Sequence, residues 1–429
     1  MTRSAEAALL IATVVVAGMG VALVNFASGG GLDAQVALTL LVFSIAIGAI
    51  HMAVRRWAPH ANPFIFPLAM FLTAIGFIEI YRLDSRLVSI QRWSLLVGAA
   101  ASVALLYALR DDGVALLRRF RYLFLFAAVL LLLLPLLPSG WPLHGIEVNG
   151  SRLWVKLEIG NRYASFQPGE VAKVLLIVFL ASYLAERHIA MAIVQRKLGR
   201  LSIPEPRQLG PVIIAAGASF VILVYQRDLG AALLLFTMFV GMTYLATSRM
   251  VYPLAGSVLG LAGGLAAYRF FDHVQVRFHS WLNPWDDFAG SGFQIIQGLF
   301  AIGSGSLTGA GLGSGRPDLI PAAETDFIFA AVAEELGFGG AVGIITAYAL
   351  LAALGFGIAL RAREVFLKIL AAGLILVVTM QAILILAGIL RLLPVTGITL
   401  PFMSYGGSSL VANILLLTLL ARVSHEVRP

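Results

Sequence analysis

The chain reads as an all-α polytopic membrane protein with about twelve transmembrane helices, and three observations carry that reading. Of its 429 residues, 60% are hydrophobic. Only 12% are charged, where a soluble domain holds roughly 25%. The apolar residues also gather into runs long enough to cross a hydrocarbon core of about 30 Å, which takes roughly 20 helical residues. Such a composition excludes a water-soluble globule, a disordered chain and a fibrous protein. The absence of cysteine excludes a disulfide framework, a thiolate metal site and a cysteine nucleophile.

The twelve runs are residues 7–26, 36–54, 64–81, 93–109, 122–137, 167–185, 211–225, 229–246, 252–271, 326–360, 369–390 and 399–420. Arg3 precedes the first, but its apolar stretch exceeds the about 7–15 residues of a signal-peptide core, so it is expected to be a retained helix. The sixth opens on Gln167-Pro168-Gly169, with proline in the first turn as a normal helix start. The seventh is short and the tenth overlong. The approach to the last run carries Pro394, Pro401 and the pair Gly406-Gly407; broken backbone of this kind is tolerated at membrane depth only against protein or water, which suggests a cavity wall.

With the N-terminus inside, 18 of the 30 Lys and Arg fall in cytoplasmic segments and 11 in outer ones, while Lys173 lies within a span. The positive-inside rule favours this orientation, with both termini cytoplasmic. The net charge of +8 therefore reflects membrane topology rather than a nucleic-acid partner. Two outer connections are far longer than a helix hairpin needs, at 138–166 and 272–325, and loops of that length are usually functional. The second contains an apolar helical stretch around 293–302, so disorder is not expected there.

Several segments could carry chemistry. In FQPGEVAK (166–173), Glu170 and Lys173 share a helix face; intramembrane charges are costly and functional candidates by default, though a self-satisfying ion pair is the plainer reading. In NGSRLWV (149–155), Arg152 offers a fork suited to phosphate oxygens. QRDLG (226–230), opening on Gln226, is a short outer turn in which Arg227 and Asp228 either take part in binding or simply cap the next helix and pair with each other. SWLNPWDDFAGSGFQ (280–294) places Asp286 and Asp287 on a Pro- and Gly-bounded loop just outside the membrane, where a carboxylate can act as general base for a hydroxyl.

The Gly-rich stretch 303–315 lacks the Lys-Ser/Thr ending of a Walker loop and the dinucleotide spacing, so flexible backbone near a lipid headgroup is a better use of it. DFIFAAVAEELG (326–337) opens on Asp326 and buries Glu334 and Glu335, for which structural and functional readings stand level. No His-Glu-x-x-His spacing occurs, which disfavours a zinc hydrolase. A hard cation such as Mg²⁺ remains compatible with carboxylates and a substrate pyrophosphate, with Asp287 the candidate ligand.

Taken in order, NGSRLWV, FQPGEVAK, QRDLG, NPWDDFAGSGFQIIQ, TDFIFAAVAEELG and LPFMSYGGSS resemble the SEDS family, the peptidoglycan glycosyltransferases of the RodA, FtsW and SpoVE type, with a slight lean to the RodA side. The resemblance implies a ten-helix core within 61–429 and leaves 1–60 as an additional two-helix hairpin. It maps the family's essential loop acid onto Asp287, its Gly-Ser-Arg arginine onto Arg152 and its membrane Glu and Lys onto Glu170 and Lys173; within the matching segments Gln167, Gln226, Asp228, Asp326 and Ser404 are further expected substrate-binding residues. The chain departs from the pattern at Gly169, Arg227, Phe288 and Glu324. The implied activity is polymerisation of lipid II at the outer face of the bacterial cytoplasmic membrane, for elongation, division or cell shape. The implied partner is a class B penicillin-binding protein, among membrane lipids. A flippase for the same lipid is the competing expectation, because charges within a bundle also mark substrate pathways.

Overall fold

The computed structural model describes residues 3–31, 33–111, 113–138, 140–148, 150–159, 162–193, 195–198, 201–204 and 206–427. Every expected apolar run coincides with a helix. The first four are α1 (Arg3–Ala27), α2 (Ala34–Trp57), α3 (Ile65–Leu83) and α4 (Ser85–Ala108). The fifth is a bent pair: α5 (Gly113–Arg119) meets the helix starting as α6 (Arg121–Leu133) at 72°. Then follow α7 (Pro168–Ile193), α8 (Pro206–Tyr225), α9 (Leu229–Thr247) and α10 (Val251–Phe270). The 272–325 connection contains α11 (Asp272–Leu282) and α12 (Phe293–Gly305), and the chain closes with α13 (Ile328–Arg361), α14 (Val365–Ile389) and α15 (Gly407–Val427). Among the described residues, ten of these helices are long and apolar enough to cross a membrane, or eleven with the bent pair as one span; α8, the short seventh run, is not among the ten.

The fold is dominantly helical, with two small antiparallel sheets that the sequence reading did not contain. The 138–166 connection folds into β1 (Leu143–Val148), β2 (Ser151–Ile159) and β3 (Arg162–Phe166), with Val148 opposite Ser151 and Val155 opposite Phe166. A hairpin of β4 (Gln195–Leu198) and β5 (Leu201–Pro204) separates α7 from α8. The long 272–325 connection is also structured: besides α11 and α12 it holds 3-10 turns at Pro284–Asp287 and Pro317–Leu319.

The overlong tenth run has a local cause. Within α13, Gly337 sits at φ 65°, which divides a short helix from the long one that follows. A Cβ at Gly337 would lie 2.3 Å from the Gly309 nitrogen, so only glycine fits where the 306–316 loop crosses this break. The loop is tied down by the two buried acids: Glu335 Oε2 accepts from the Gly313 N–H at 2.9 Å and Glu334 Oε1 from the Arg316 N–H at 2.9 Å. Arg82 of α3 completes the anchor, with Nε 3.2 Å from Glu335 Oε1 and Nη2 donating to the Gly315 carbonyl at 3.0 Å. Glu334, Glu335 and the glycine stretch thus act together in holding a loop.

The chain divides into two units. The first comprises Met1–Tyr107, Gly264–Leu354 and Val378–Ala421. In it, α1 and α2 pack on α3 through Val21, Val24, Val36 and Ile78, joined by Leu40, Tyr81 and Leu312. Asp33 caps α2 by accepting from the Gln35 and Val36 N–H groups. Arg3 donates to the carbonyls of Ala58, Pro59 and Ala61, and with His51 it pairs the buried Glu6. Polar side chains point inward, as where Ser102 of α4 meets Thr418 of α15 at 2.7 Å, whereas Ile11, Met19, Leu41 and Met52 are exposed. Apolar outside and paired polar groups inside is the arrangement a lipid solvent selects.

The second unit comprises Ala108–Gly263, Gly355–Val377 and Arg422–Pro429. Here α7 packs against α6, α8 and α9, burying Leu176, Ile177, Phe179, Leu180 and Leu184. Asp228 caps α9, and Ser248 ends it in the left-handed conformation. Of α10 only Gly256 is buried, with Leu254, Val258, Leu261 and Leu265 exposed as a lipid-facing helix would be.

Candidate active site

The site residues expected from sequence fall into two groups, one in each unit. In the first unit, Asp287 closes the 3-10 turn Pro284–Asp287. Its carboxylate accepts from the Ser291 N–H at 2.7 Å, and its carbonyl accepts from the N–H groups of Gly290 and Gly292. The glycines are required by crowding: a Cβ at Gly292 would lie 1.9 Å from the Pro284 carbonyl oxygen. The Ser291 hydrogen bonds, and the nearby His279, hold the Asp287 carboxyl below the usual aspartate range. At neutral pH it is an exposed, fully ionised and backbone-fixed carboxylate, able to accept a hydrogen bond from a hydroxyl. Its neighbour Asp286 faces His279 instead, at 3.8 Å.

Asp326 precedes α13 by two residues, outside the span that the sequence suggested it would open. Burial pushes its carboxyl up to about 6, against the opposing influence of the Thr325 hydroxyl and the Arg277 guanidinium. Ser404 is buried and fully engaged: its hydroxyl donates to the Thr325 carbonyl at 2.5 Å and accepts from the Leu400 N–H at 2.8 Å. The Tyr405 N–H donates to the Glu324 carbonyl at 2.7 Å, so the 400–405 segment fixes the strand of chain that carries Asp326.

Two arginines that the sequence reading counted only as outer charges complete this region. Arg391 donates to the carbonyls of Trp281 at 2.8 Å and Leu282 at 2.5 Å, and the Trp281 indole N–H returns a bond to the Arg391 carbonyl at 3.0 Å. Arg277 donates to the Thr396 carbonyl at 2.9 Å. Together they clamp α11, and with it the start of the Asp287 loop, onto the 391–397 segment. No spacing signal marks these arginines, because their partners are backbone carbonyls more than a hundred residues away.

In the second unit, Lys173 Nζ lies 2.7 Å from Glu170 Oε2, one turn into α7, with side-chain exposures of 4% and 14%. The Glu170 N–H donates to the Gln167 carbonyl at the helix start, where Gln167 is half-buried. Arg152 on β2 is about half exposed, its Nε 3.8 Å from Glu147, and its backbone N–H donates to the Gln226 carbonyl. Gln226 is buried and donates to the Leu132 carbonyl at 2.6 Å, while Asp228 accepts from the Ala231 N–H at 2.9 Å as the α9 cap. Gln226 and Asp228 therefore shape the turn on which the sheet carrying Arg152 rests. Asn149, at the start of that motif, lies outside the described residues.

No group of three His, Asp or Glu with metal-binding geometry occurs among the described residues. The exposed neighbours Asp286 and Asp287 fit at most a hydrated cation such as Mg²⁺, which takes one or two carboxylates together with substrate phosphates.

The chain resembles known proteins along its whole length. It is 38% identical to the peptidoglycan glycosyltransferase RodA of Mycobacterium tuberculosis, over 99% of this chain and 91% of that one. Among solved structures, it superposes with a TM-score of 0.68 on a chain from a peptidoglycan synthase complex that coordinates polymerization and crosslinking, at 27% identity, covering 86% of this chain and 98% of that one. A mutant of the Thermus thermophilus rod shape determining protein RodA gives a TM-score of 0.61 at 25% identity, covering 86% and 99%. The family model described as a cell cycle protein, that of FtsW, RodA and SpoVE, matches residues 57–429, and the chain belongs to this family of integral membrane proteins.

Proposed function

We propose that this protein is a peptidoglycan glycosyltransferase that polymerises lipid II at the outer face of the cytoplasmic membrane, with both termini inside the cell. The observation that carries the reading is Asp287: an ionised, exposed carboxylate on a glycine-constrained turn, within the long 272–325 connection between apolar helices. Transfer requires a sugar hydroxyl to attack the anomeric carbon of a second lipid-linked disaccharide. A new C–O bond forms, the C–O bond to undecaprenyl pyrophosphate breaks, and the hydroxyl proton passes to Asp287. A carboxylate below the usual range accepts that proton late, as the hydroxyl becomes acidic during attack.

The leaving pyrophosphate needs positive charge. Arg152, half exposed and only loosely paired with Glu147, suits that role better than Lys173, whose charge is already matched by Glu170. A Mg²⁺ held by Asp286 or Asp287 and the pyrophosphate would supply further charge neutralisation. Similarity to the peptidoglycan glycosyltransferase RodA and to a chain of a peptidoglycan synthase complex supports the substrate and the partner, and the distribution of Lys and Arg supports the placement of the termini. A class B penicillin-binding protein is the proposed partner, for crosslinking the strands made here.

Reconstitution of the purified protein with lipid II, alone and with that partner, tests the reading. Glycan strands from the wild type and none from a folded Asp287→Ala variant support it. A flippase would instead move labelled lipid II between leaflets, depend on Glu170 and Lys173, and tolerate Asp287→Ala.

A further inference from the structure

Next to Asp287 the chain exposes aromatic surface that the transfer chemistry does not use. Trp285 is 52% exposed, Phe288 47% and Phe300 51%. They are not loose: the Trp285 and Phe288 rings stack with 21° between planes and centroids 6.2 Å apart, and Phe300 of α12 lies tilted against Trp285 at 5.8 Å. Phe293, at the start of α12, meets Phe288 edge-on at 6.4 Å. The turn beneath is fixed by the Gly290 and Gly292 N–H groups on the Asp287 carbonyl, and the Asp286 N–H bonds to the Asn283 carbonyl.

Aromatic residues at a membrane surface are often lipid anchors. This cluster is poorly made for that purpose, because the exposed acids Asp286 and Asp287 sit between Trp285 and Phe288 in the chain and resist immersion in hydrocarbon. A flat apolar surface with hydrogen-bonding groups at its edge suits a different ligand: a hexose ring, which presents an apolar C–H face and a rim of hydroxyls. His279, 3.8 Å from Asp286, adds to that polar rim, with both side chains about 60% exposed.

We propose that Trp285, braced by Phe288 and Phe300, is the stacking platform for the terminal sugar of the acceptor, holding that ring beside Asp287 so that its hydroxyl meets the carboxylate. The inference rests on the transferase reading and adds a substrate contact to it. An aromatic ring of either type retains a stacking face, whereas leucine retains apolar character without one. The platform therefore separates Trp285→Phe from Trp285→Leu, while a lipid anchor accepts both.

The experiment measures polymer formation against lipid II concentration in proteoliposomes for wild type, Trp285→Phe and Trp285→Leu, with melting temperatures of each. In parallel, soluble uncrosslinked glycan strands are titrated onto the same proteins, a readout that needs no turnover. The expected result is a half-saturating concentration raised roughly three- to tenfold in Trp285→Leu, with strand binding weakened to match and Trp285→Phe close to wild type. Equal concentration dependence and equal strand binding in Trp285→Leu and wild type overturn the proposal. So does a Trp285→Leu protein that melts early while the folded fraction binds strands normally, because the ring is then only packing. If no protein, wild type included, makes polymer with partner and Mg²⁺ present, the transferase reading fails; the strand titration still decides whether Trp285 binds sugar.

Discussion

Separating the charges of α7 gives a quantitative test of what the Glu170–Lys173 pair does. At 2.7 Å, the attraction between unit charges at an effective dielectric constant of 20 is about 6 kcal/mol. Desolvation offsets much of that, so the pair as a whole contributes far less, but removing one partner strands the other in the membrane at a cost of about 3–5 kcal/mol. Lys173→Met is expected to lose that amount and Glu170→Gln a similar amount. The double variant should recover most of it, so the coupling energy in a double-mutant cycle should exceed either single loss, at about 5 kcal/mol or more. Reversible unfolding of the reconstituted protein in a denaturing detergent series supplies the stabilities, and lipid II polymerisation by the folded fraction supplies the activity. A double variant that is stable yet inactive assigns the pair to substrate handling, and one that is stable and active makes it a purely structural bridge. A double variant that loses the sum of the two single losses would overturn this, since the charges would then not be coupled.

Three other outcomes follow from the site. Ser404→Ala removes a hydroxyl bonded to Thr325 and Leu400, so it should lower stability by about 1–3 kcal/mol while leaving the half-saturating lipid II concentration of the folded protein unchanged. Asp326, raised to about 6 in the folded protein from an ordinary 3.8, favours its neutral form on folding. Its stabilising contribution is complete below about 3.8 and lost as pH rises through 6, so Asp326→Asn should gain about 2–3 kcal/mol over wild type between pH 4 and pH 8 in the same unfolding assay. Gly337→Ala places a Cβ 2.3 Å from Gly309 at a left-handed position, and should destabilise by about 2 kcal/mol or more and loosen the 306–316 loop to protease.

Helix positions were legible because lipid demands long apolar runs: each of the twelve runs meets a helix, though among the described residues ten helices, or eleven with the bent pair, are long and apolar enough to span. The break in α13 was less so: continuous apolarity hides a reversal of backbone geometry, and only the cluster Gly337, Gly339 and Gly340 hinted at it. The 143–166 sheet has a signal in the sequence. Asn149-Gly150 and Gly160-Asn161 are hairpin-turn dipeptides flanked by β-branched and aromatic residues, on a segment too polar to be a span. At the site, the turn that carries Asp286 and Asp287 was legible from the proline and glycines of 284–292, while the preference for Asp287 over Asp286 came from the family resemblance. Ser404 looked equally exposed to function in sequence, yet its hydroxyl is consumed by Thr325, 79 residues away in the chain. Asp228 shows the reverse: its capping bond to Ala231 is local, and the helix-start reading of that turn was available from the sequence alone.

The most direct measurement is glycan polymerisation from purified lipid II by the reconstituted protein with its penicillin-binding partner and Mg²⁺, wild type beside Asp287→Ala and Asp286→Ala. Strands are expected from wild type and from Asp286→Ala, and none from an Asp287→Ala protein that melts with the wild type. Strands from Asp287→Ala at the wild-type rate would contradict the role assigned to Asp287.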